Sequence, residues 1–432
     1  MRLWQQLKNW YNERSGSYSF NFARLVCGTA SAQAISFITL PILTRMYAVG
    51  DFGTQALYLS TVSILVIVVT GRYELAILLP KEDDDSFALV ILTLLLAAIG
   101  CLFCEVIVCG LLPFLQISWL NGEISSWLPF LAITIFVQVN YNVWYTWLNR
   151  NRAYKMMSRM AVISTLVNFL AAFIYGYYTN AESHGLLLNT FAGLLCCTMY
   201  ILYYCRKKDI LPYKQISRKK IINMTRRYKR FPRFLVLGHI LNTGSTQLPF
   251  FILQGIGGQE LVGIFSMVQK LLHIPISLIG SAMGNVFRRE ASEAWNKKRN
   301  CWAIYKKTLW ILLILGLVPF STLFFFAADL VPFFLGGQWR EVGLYIVYLC
   351  PMFYMSFVSS PLSSMSTITE KMWMGIFAQS LRFIIIYASM MIAFSCYGSG
   401  KSAIVGYGIA FTIYYIWSIL VTQKWAKGES YF

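Results

Sequence analysis

The sequence predicts an all-α integral membrane protein in which twelve transmembrane helices form two six-helix bundles around a central cationic cleft. Three observations carry that expectation. Twelve apolar runs of about twenty residues each match the length that a hydrocarbon layer of about 30 Å demands. The composition is 57% hydrophobic and only 13% charged over 432 residues, outside the range of soluble domains. Of the 37 lysines and arginines, 32 fall in alternate gaps between the apolar runs, whereas the intervening gaps hold only Arg45, Arg340 and Lys401. Cytoplasmic loops carry excess Lys and Arg, so both termini and the rich gaps are placed inside. The net charge of +19 then follows from topology and from attraction to anionic inner-leaflet lipids, not from nucleic-acid binding.

The runs centre on residues 25–44, 54–71, 87–114, 127–148, 157–178, 186–205, 234–255, 261–281, 308–335, 342–366, 373–397 and 402–422. The first follows a polar and aromatic lead and lacks a small-residue cleavage site, so it reads as an uncleaved anchor. Glu82, Asp83, Asp84 and Asp85, between the second and third runs, read as a solvated loop. The longest outer loop surrounds Leu115 to Ser126, and all outer loops are too short to fold alone. The segment 206–233, with twelve basic residues against the single Asp209, reads either as lying on the inner membrane surface, held by its charges, or as a merely solvated topogenic loop. It joins an amino-terminal bundle (1–205) to a carboxy-terminal bundle (234–432). The halves read as parallel repeats, because Gly28, Pro41 and Gly53 recur as Gly238, Pro249 and Gly263 at offsets of 210, 208 and 210. Six spans separate the copies, which preserves orientation.

Catalytic constellations are missing. His184, His239 and His273 have no metal-ligand spacing with cysteines or carboxylates. Cys101 and Cys104 form a CxxC inside an apolar run, where small-residue packing is the better reading. No P-loop, dinucleotide turn or nucleophile elbow is present. The expectation is therefore a protein that is not an enzyme and needs no metal or cofactor.

Polar groups inside the spans are costly unless they face water or a partner, and they fall in stripes at helical spacing. These are Ser266, Lys270, His273 and Ser277; His239, Thr243, Gln247 and Gln254; Gln138, Asn142, Tyr145 and Asn149; and Gln379 with Arg382. They read as the wall of a water-filled cleft, interhelical hydrogen bonding being the competing account for the uncharged stripes. Lys270 and Arg382 weigh more, since a basic side chain near a helix centre costs roughly 2.5–3.5 kcal/mol. Glu105 is the only acidic group deep in a run; pairing with a base and coupling to an ion both remain open for it. A cationic cleft without catalytic groups points to transport of an anion.

The first two spans add a resemblance. The residues Gly28-Thr29, Gln33, Leu40-Pro41-Ile42-Leu43-Thr44-Arg45, Tyr47, Asp51-Phe52-Gly53 and Tyr73-Glu74-Leu75-Ala76-Ile77-Leu78-Leu79-Pro80 resemble the opening of Wzx-type polysaccharide flippases. These belong to the multidrug, oligosaccharidyl-lipid and polysaccharide exporter superfamily. The close match covers roughly the first 90 residues. It implies movement of an undecaprenyl-pyrophosphate-linked oligosaccharide, an O-antigen unit or related polysaccharide, across the bacterial inner membrane from the cytoplasmic to the periplasmic leaflet. It also implies membrane lipids, a polysaccharide polymerase and a chain-length regulator as partners. Family members place basic residues in the first and eighth spans near the lipid phosphates, and Arg24, Arg45 and Lys270 occupy comparable places here, although Arg45 also suits an interfacial anchor. With Arg382, His273, Gln247, Gln138 and Asn142 they make the expected substrate-binding set. A drug exporter of the same superfamily would favour acidic residues in its lumen, and a polymerase or ligase would need a sizeable outer loop.

Overall fold

The structure is a computed structural model that describes residues 18–111, 123–179, 184–211, 217–229 and 231–428. The lead preceding Tyr18 and most of the loop around Leu115 to Ser126 lie outside the described residues. Among the described residues every regular element is helical: α1 (Tyr18–Met46), α2 (Val49–Thr70), α3 (Asp83–Val106), α4 (Leu131–Arg150), α5 (Tyr154–Tyr178), α6 (His184–Lys207), α7 (Arg218–Arg227), α8 (Val236–Pro275), α9 (Ser281–Lys298), α10 (Trp302–Leu335), α11 (Arg340–Leu362), α12 (Met365–Ile368), α13 (Met372–Tyr397) and α14 (Gly400–Ala426). Helices are what a lipid environment selects, because each satisfies its own backbone polar groups.

Ten helical stretches are long and apolar enough to cross a membrane. One of them, Val236–Lys298, contains two spans, because Gly258 breaks α8 with φ 70°, a left-handed conformation that glycine adopts without strain. The twelfth span is α4, whose Gln138, Asn140, Asn142 and Asn149 leave it too polar to stand out by composition. The chain is a multi-pass membrane protein of twelve spans among the described residues.

The helices cluster into two compact units, residues 1–46 with 61–237, and residues 47–60 with 238–432. The amino-terminal half of α2 thus packs with the second unit. In the first unit α5 packs against α1 and α6, and α4 against α3 and α6; in the second, α11 packs against α10 and α14, and α14 against α13.

The repeated glycines have a geometric purpose. A methyl group at Gly53 would run into the carbonyl of Gln259, and one at Gly263 into the carbonyl of Val49. The two contacts are reciprocal, since Val49 and Gln259 stand four residues before their respective glycines. Small residues permit this close backbone approach in membrane helices. Asp51 accepts a hydrogen bond from the Ala48 N–H at 2.8 Å, closing the start of α2, and Phe52 meets Trp339 edge-on at 5.1 Å. The Asp51-Phe52-Gly53 motif is therefore a packing device.

Glu82 to Asp85 differ from the expected solvated loop. Asp83, Asp84 and Asp85 form the first turn of α3, where the helix dipole favours negative charge. Arg150, at the end of α4, pairs with Asp83 at 2.9 Å and donates to the carbonyls of Ile77 at 3.3 Å, Pro80 at 2.8 Å and Lys81 at 3.3 Å. Lys220 on α7 reaches Asp84 at 3.2 Å and Asp85 at 3.7 Å. Desolvation opposes the Lys220 ammonium, but the hydrogen bond it donates to Asp84 and the charges of Asp84, Asp85 and Glu82 outweigh it and raise its pKa. The basic segment thus carries a helix packed on α3, with Tyr73 donating to the Thr225 carbonyl at 3.4 Å, where a segment lying flat on lipid or a solvated loop was expected. Sequence patterning missed this because the partners are 136 residues apart.

Candidate functional site

Arg382 sits ten residues into α13 and half-buried. It opens onto a cavity of about 360 Å³ inside the second unit, walled by Ser356, Ser359 and Ser360 of α11 and Ser363 at its C-cap, by Tyr414, Tyr415, Ser418 and Thr422 of α14, by Gln379 of α13 and by His273 of α8. Among the described residues no Asp or Glu lines it. The guanidinium lies over the Phe411 ring at 5.4 Å, yet its Nε is buried and has no hydrogen-bond partner. The same holds for Oε1 of Gln379, three residues earlier and hence on the same helical face. An uncompensated cation and an uncompensated acceptor, side by side on one cavity wall, are costly features in an apolar setting.

Four of the hydroxyls opposite have already committed their protons. Ser359 donates to Ser418 Oγ at 3.3 Å, Ser363 to the Ser360 carbonyl at 2.7 Å and Ser366 to the Ser363 carbonyl at 3.0 Å. Thr422 donates to the Ser418 carbonyl at 2.8 Å. Such back-bonding to the preceding turn is the usual solution for Ser and Thr in apolar helices. It leaves oxygen lone pairs as what these residues present to the cavity. Chemically, the site sets one guanidinium among neutral polar groups, which include the donors Asn242, Trp417 and Trp425.

Of the residues predicted from sequence, Arg382 and His273 share this cavity. Lys270 lies one turn before His273 and is exposed, and it does not line the cavity. Gln247 accepts a hydrogen bond from Ser60 at 2.6 Å, tying α2 to α8 within the second unit. Gln138 donates to Asn142 at 3.0 Å on α4, in the first unit, where Arg24, Arg45 and Glu105 also lie. Arg24 is on α1, Arg45 is exposed at the end of that helix, and Glu105 is half-buried near the end of α3. The serine wall was not anticipated. Its signal is the spacing of Ser356, Ser359, Ser360 and Ser363, which puts three hydroxyls on one face of α11 and a fourth at its C-cap. Among the described residues no group of three or more His, Cys, Asp or Glu is placed to hold a metal ion.

Residues 42–343 match the family described as polysaccharide biosynthesis protein. The chain belongs to that family. No curated protein matches it. Among solved structures, this polysaccharide biosynthesis protein is similar to a multidrug resistance MATE family transporter of the MOP superfamily in its inward-facing conformation, with TM-score 0.72 and 15% identity over 92% of this chain and 97% of the other. It is also similar to the lipid II flippase MurJ in an inward closed conformation, with TM-score 0.65 and 12% identity over 93% and 89% of the two chains. A third is a MOP superfamily transporter from Pyrococcus furiosus described as having a binding pocket of reverse polarity, with TM-score 0.58 and 16% identity over 93% and 94%. The fold is thus that of the superfamily to which the opening motifs pointed.

Proposed function

We propose that this protein is a flippase that carries an undecaprenyl-pyrophosphate-linked oligosaccharide, an O-antigen repeat unit or related surface polysaccharide, from the cytoplasmic to the periplasmic leaflet of the bacterial inner membrane. The observation that carries the reading is Arg382, a half-buried cation with a buried, unpartnered Nε in a cavity that no carboxylate of the described residues lines. Ten residues into α13, it stands about 15 Å along the helix axis, near the middle of a bilayer. A cation there is costly, and a pyrophosphate oxygen gives its fork the partner it lacks. A drug exporter for cations would place carboxylates where this cavity has serines.

The physics of the cargo fits. Moving a single polar group into hydrocarbon without partners costs roughly 4–8 kcal/mol, and an oligosaccharide carries many. A polar groove removes that barrier while the polyprenyl chain stays in lipid. Outward movement of the pyrophosphate down an inside-negative potential is favoured by about 2.3 kcal/mol per charge per 100 mV. Lys270, Arg24 and Arg45 serve as further cations along the route, and a polymerase and chain-length regulator receive the product. Both termini face the cytoplasm.

Complementation of a strain lacking the protein tests the reading. Lys270→Ala and Arg382→Ala each reduce surface polysaccharide at unchanged membrane abundance, and Lys270→Arg retains more activity than Lys270→Gln. Full complementation by both alanine variants contradicts it. Impermeant labelling of single cysteines placed at Ser292 and Gly337 checks orientation: reaction at position 337 alone in intact cells is expected, and reaction at 292 reverses the direction of transport.

A further inference from the structure

We infer that a groove between α1 and α5 binds an anionic phospholipid of the surrounding bilayer, its phosphate held by Lys155 and Arg159 and an acyl chain laid along Val162 and Ile163. The inference is independent of the flippase reading and needs only a protein that spans the membrane. The groove is a cavity of about 480 Å³ inside the first unit, walled by Cys27, Gly28 and Ser31 of α1 and by the first three turns of α5. A methyl group at Gly28 would run into Ser158, so the two helices approach closely there and the groove lies beside the contact. Lys155 and Arg159 are both exposed and one turn apart, with Cβ atoms about 5–6 Å from each other, so a single phosphate is within reach of both. Like charges at this spacing work against a helix. Among the described residues no carboxylate lines the groove or pairs with either side chain.

The order of groups along α5 matches a phospholipid read from headgroup to chain. Lys155 is the second residue of the helix and Arg159 the sixth, which at 1.5 Å per residue puts both within about 8 Å of its start, the depth of a headgroup layer. Val162 and Ile163 follow about one turn deeper, where hydrocarbon begins. Between the two cations Ser158 adds a hydroxyl for a phosphate oxygen. On the facing wall Ser31 gives its proton to the Cys27 carbonyl at 2.8 Å, which leaves the Cys27 thiol as the donor there. A pyrophosphate carrying sugars would set hydroxyls against Val162 and Ile163 without partners, a costly arrangement. A phosphodiester with acyl chains sets its charge against the cations and its carbon against carbon. Basic pockets between spans are where anionic headgroups settle, and a lipid seated in this one bridges the start of α5 to α1.

The test uses the full chain, purified and delipidated in detergent, with four probes: phosphatidylglycerol, phosphatidylcholine with the same chains, glycerol phosphate and a short-chain polyprenyl pyrophosphate. Mass spectrometry of the intact protein counts bound lipid, and a phosphatidylglycerol with a photoreactive chain locates it. Wild-type protein is expected to prefer phosphatidylglycerol to phosphatidylcholine by about thirtyfold, the contribution of two cations at a membrane surface. The cross-link should fall on Ser31, Val162 and Ile163 or their neighbours, and glycerol phosphate should not compete. Lys155→Gln with Arg159→Gln brings the two lipids to similar affinity. Lys297→Gln with Lys298→Gln, which removes the same charge from the end of α9, leaves the preference as it was. Equal affinity of the wild type for the two lipids overturns the inference with no variant needed. So does an equal loss in the α9 pair, which reduces the effect to net charge, or a cross-link outside α1 and α5. Displacement by glycerol phosphate makes the groove a site for free phosphate, and tighter binding of the polyprenyl pyrophosphate in the groove gives it to the cargo; either result contradicts a resident phospholipid.

Discussion

Two polar regions of this protein, each built around arginine, solve the problem of burial in opposite ways. At the start of α3, Arg150 is nearly buried and fully engaged, with Asp83 at 2.9 Å and three backbone carbonyls within 3.3 Å. In the second unit Arg382 is half-buried, rests on Phe411 and leaves Nε without a partner. The first arrangement ties α4 to the turn before α3 and to α3 itself. The second gives up stability and retains a site for an anion. Where a charge is matched the fold is its beneficiary; where it is unmatched a ligand is the expected partner.

The largest effect expected from breaking a fold-holding contact is at the reciprocal glycines. Gly53→Leu or Gly263→Leu forces a side chain against the carbonyl of Gln259 or Val49, and backbone cannot yield as a side chain can. Membrane abundance should fall severely in pulse-chase measurements; normal abundance of both variants means that the contact is dispensable. Next in size is Arg150→Ala. The pair with Asp83 contributes little by itself, because that carboxylate is 68% exposed. The loss, about 2 kcal/mol, comes from three carbonyls deprived of a charged donor. Asp83→Asn should cost less than about 1 kcal/mol, and thermal unfolding in detergent separates the two. A cost at Asp83→Asn equal to that at Arg150→Ala assigns the stability to the ion pair.

Smaller again is Lys220→Ala, which releases α7 from Asp84 and Asp85. Amide exchange over 218–227 should quicken while the exchange of α3 and α4 stays as it was, and transport should fall only in part. Unaltered exchange means that α7 is held by its apolar face through Met224, which is buried, and not by charge.

The sequence made some of this visible and concealed the rest for identifiable reasons. The spans were legible because lipid demands long apolar runs, with α4 recoverable only as a run diluted by Gln138, Asn140 and Asn142. The glycine repeat was legible at Gly53 and Gly263 through their common offset. Arg382 stood out because a cation in an apolar run is costly wherever it falls. The serine wall did not stand out, since Ser359 and Ser363 hide their hydroxyl protons on neighbouring oxygens and barely disturb the hydropathy of α11. Nor did the pairing of Lys220 with Asp84, which no local pattern encodes. Gln247, read as cleft lining, is bonded to Ser60.

The central claim is that Arg382 is held for a ligand at the expense of the fold, and Arg382→Met tests it most directly when transport and thermal stability are measured on the same variant. Replacing an uncompensated, partly buried charge with an apolar side chain of similar reach often leaves a protein as stable or more so. The account predicts that surface polysaccharide is lost while the unfolding temperature is unchanged or raised. A lowered unfolding temperature accompanied by a proportionate fall in membrane abundance and transport would contradict it, and would return Arg382 to the company of Arg150.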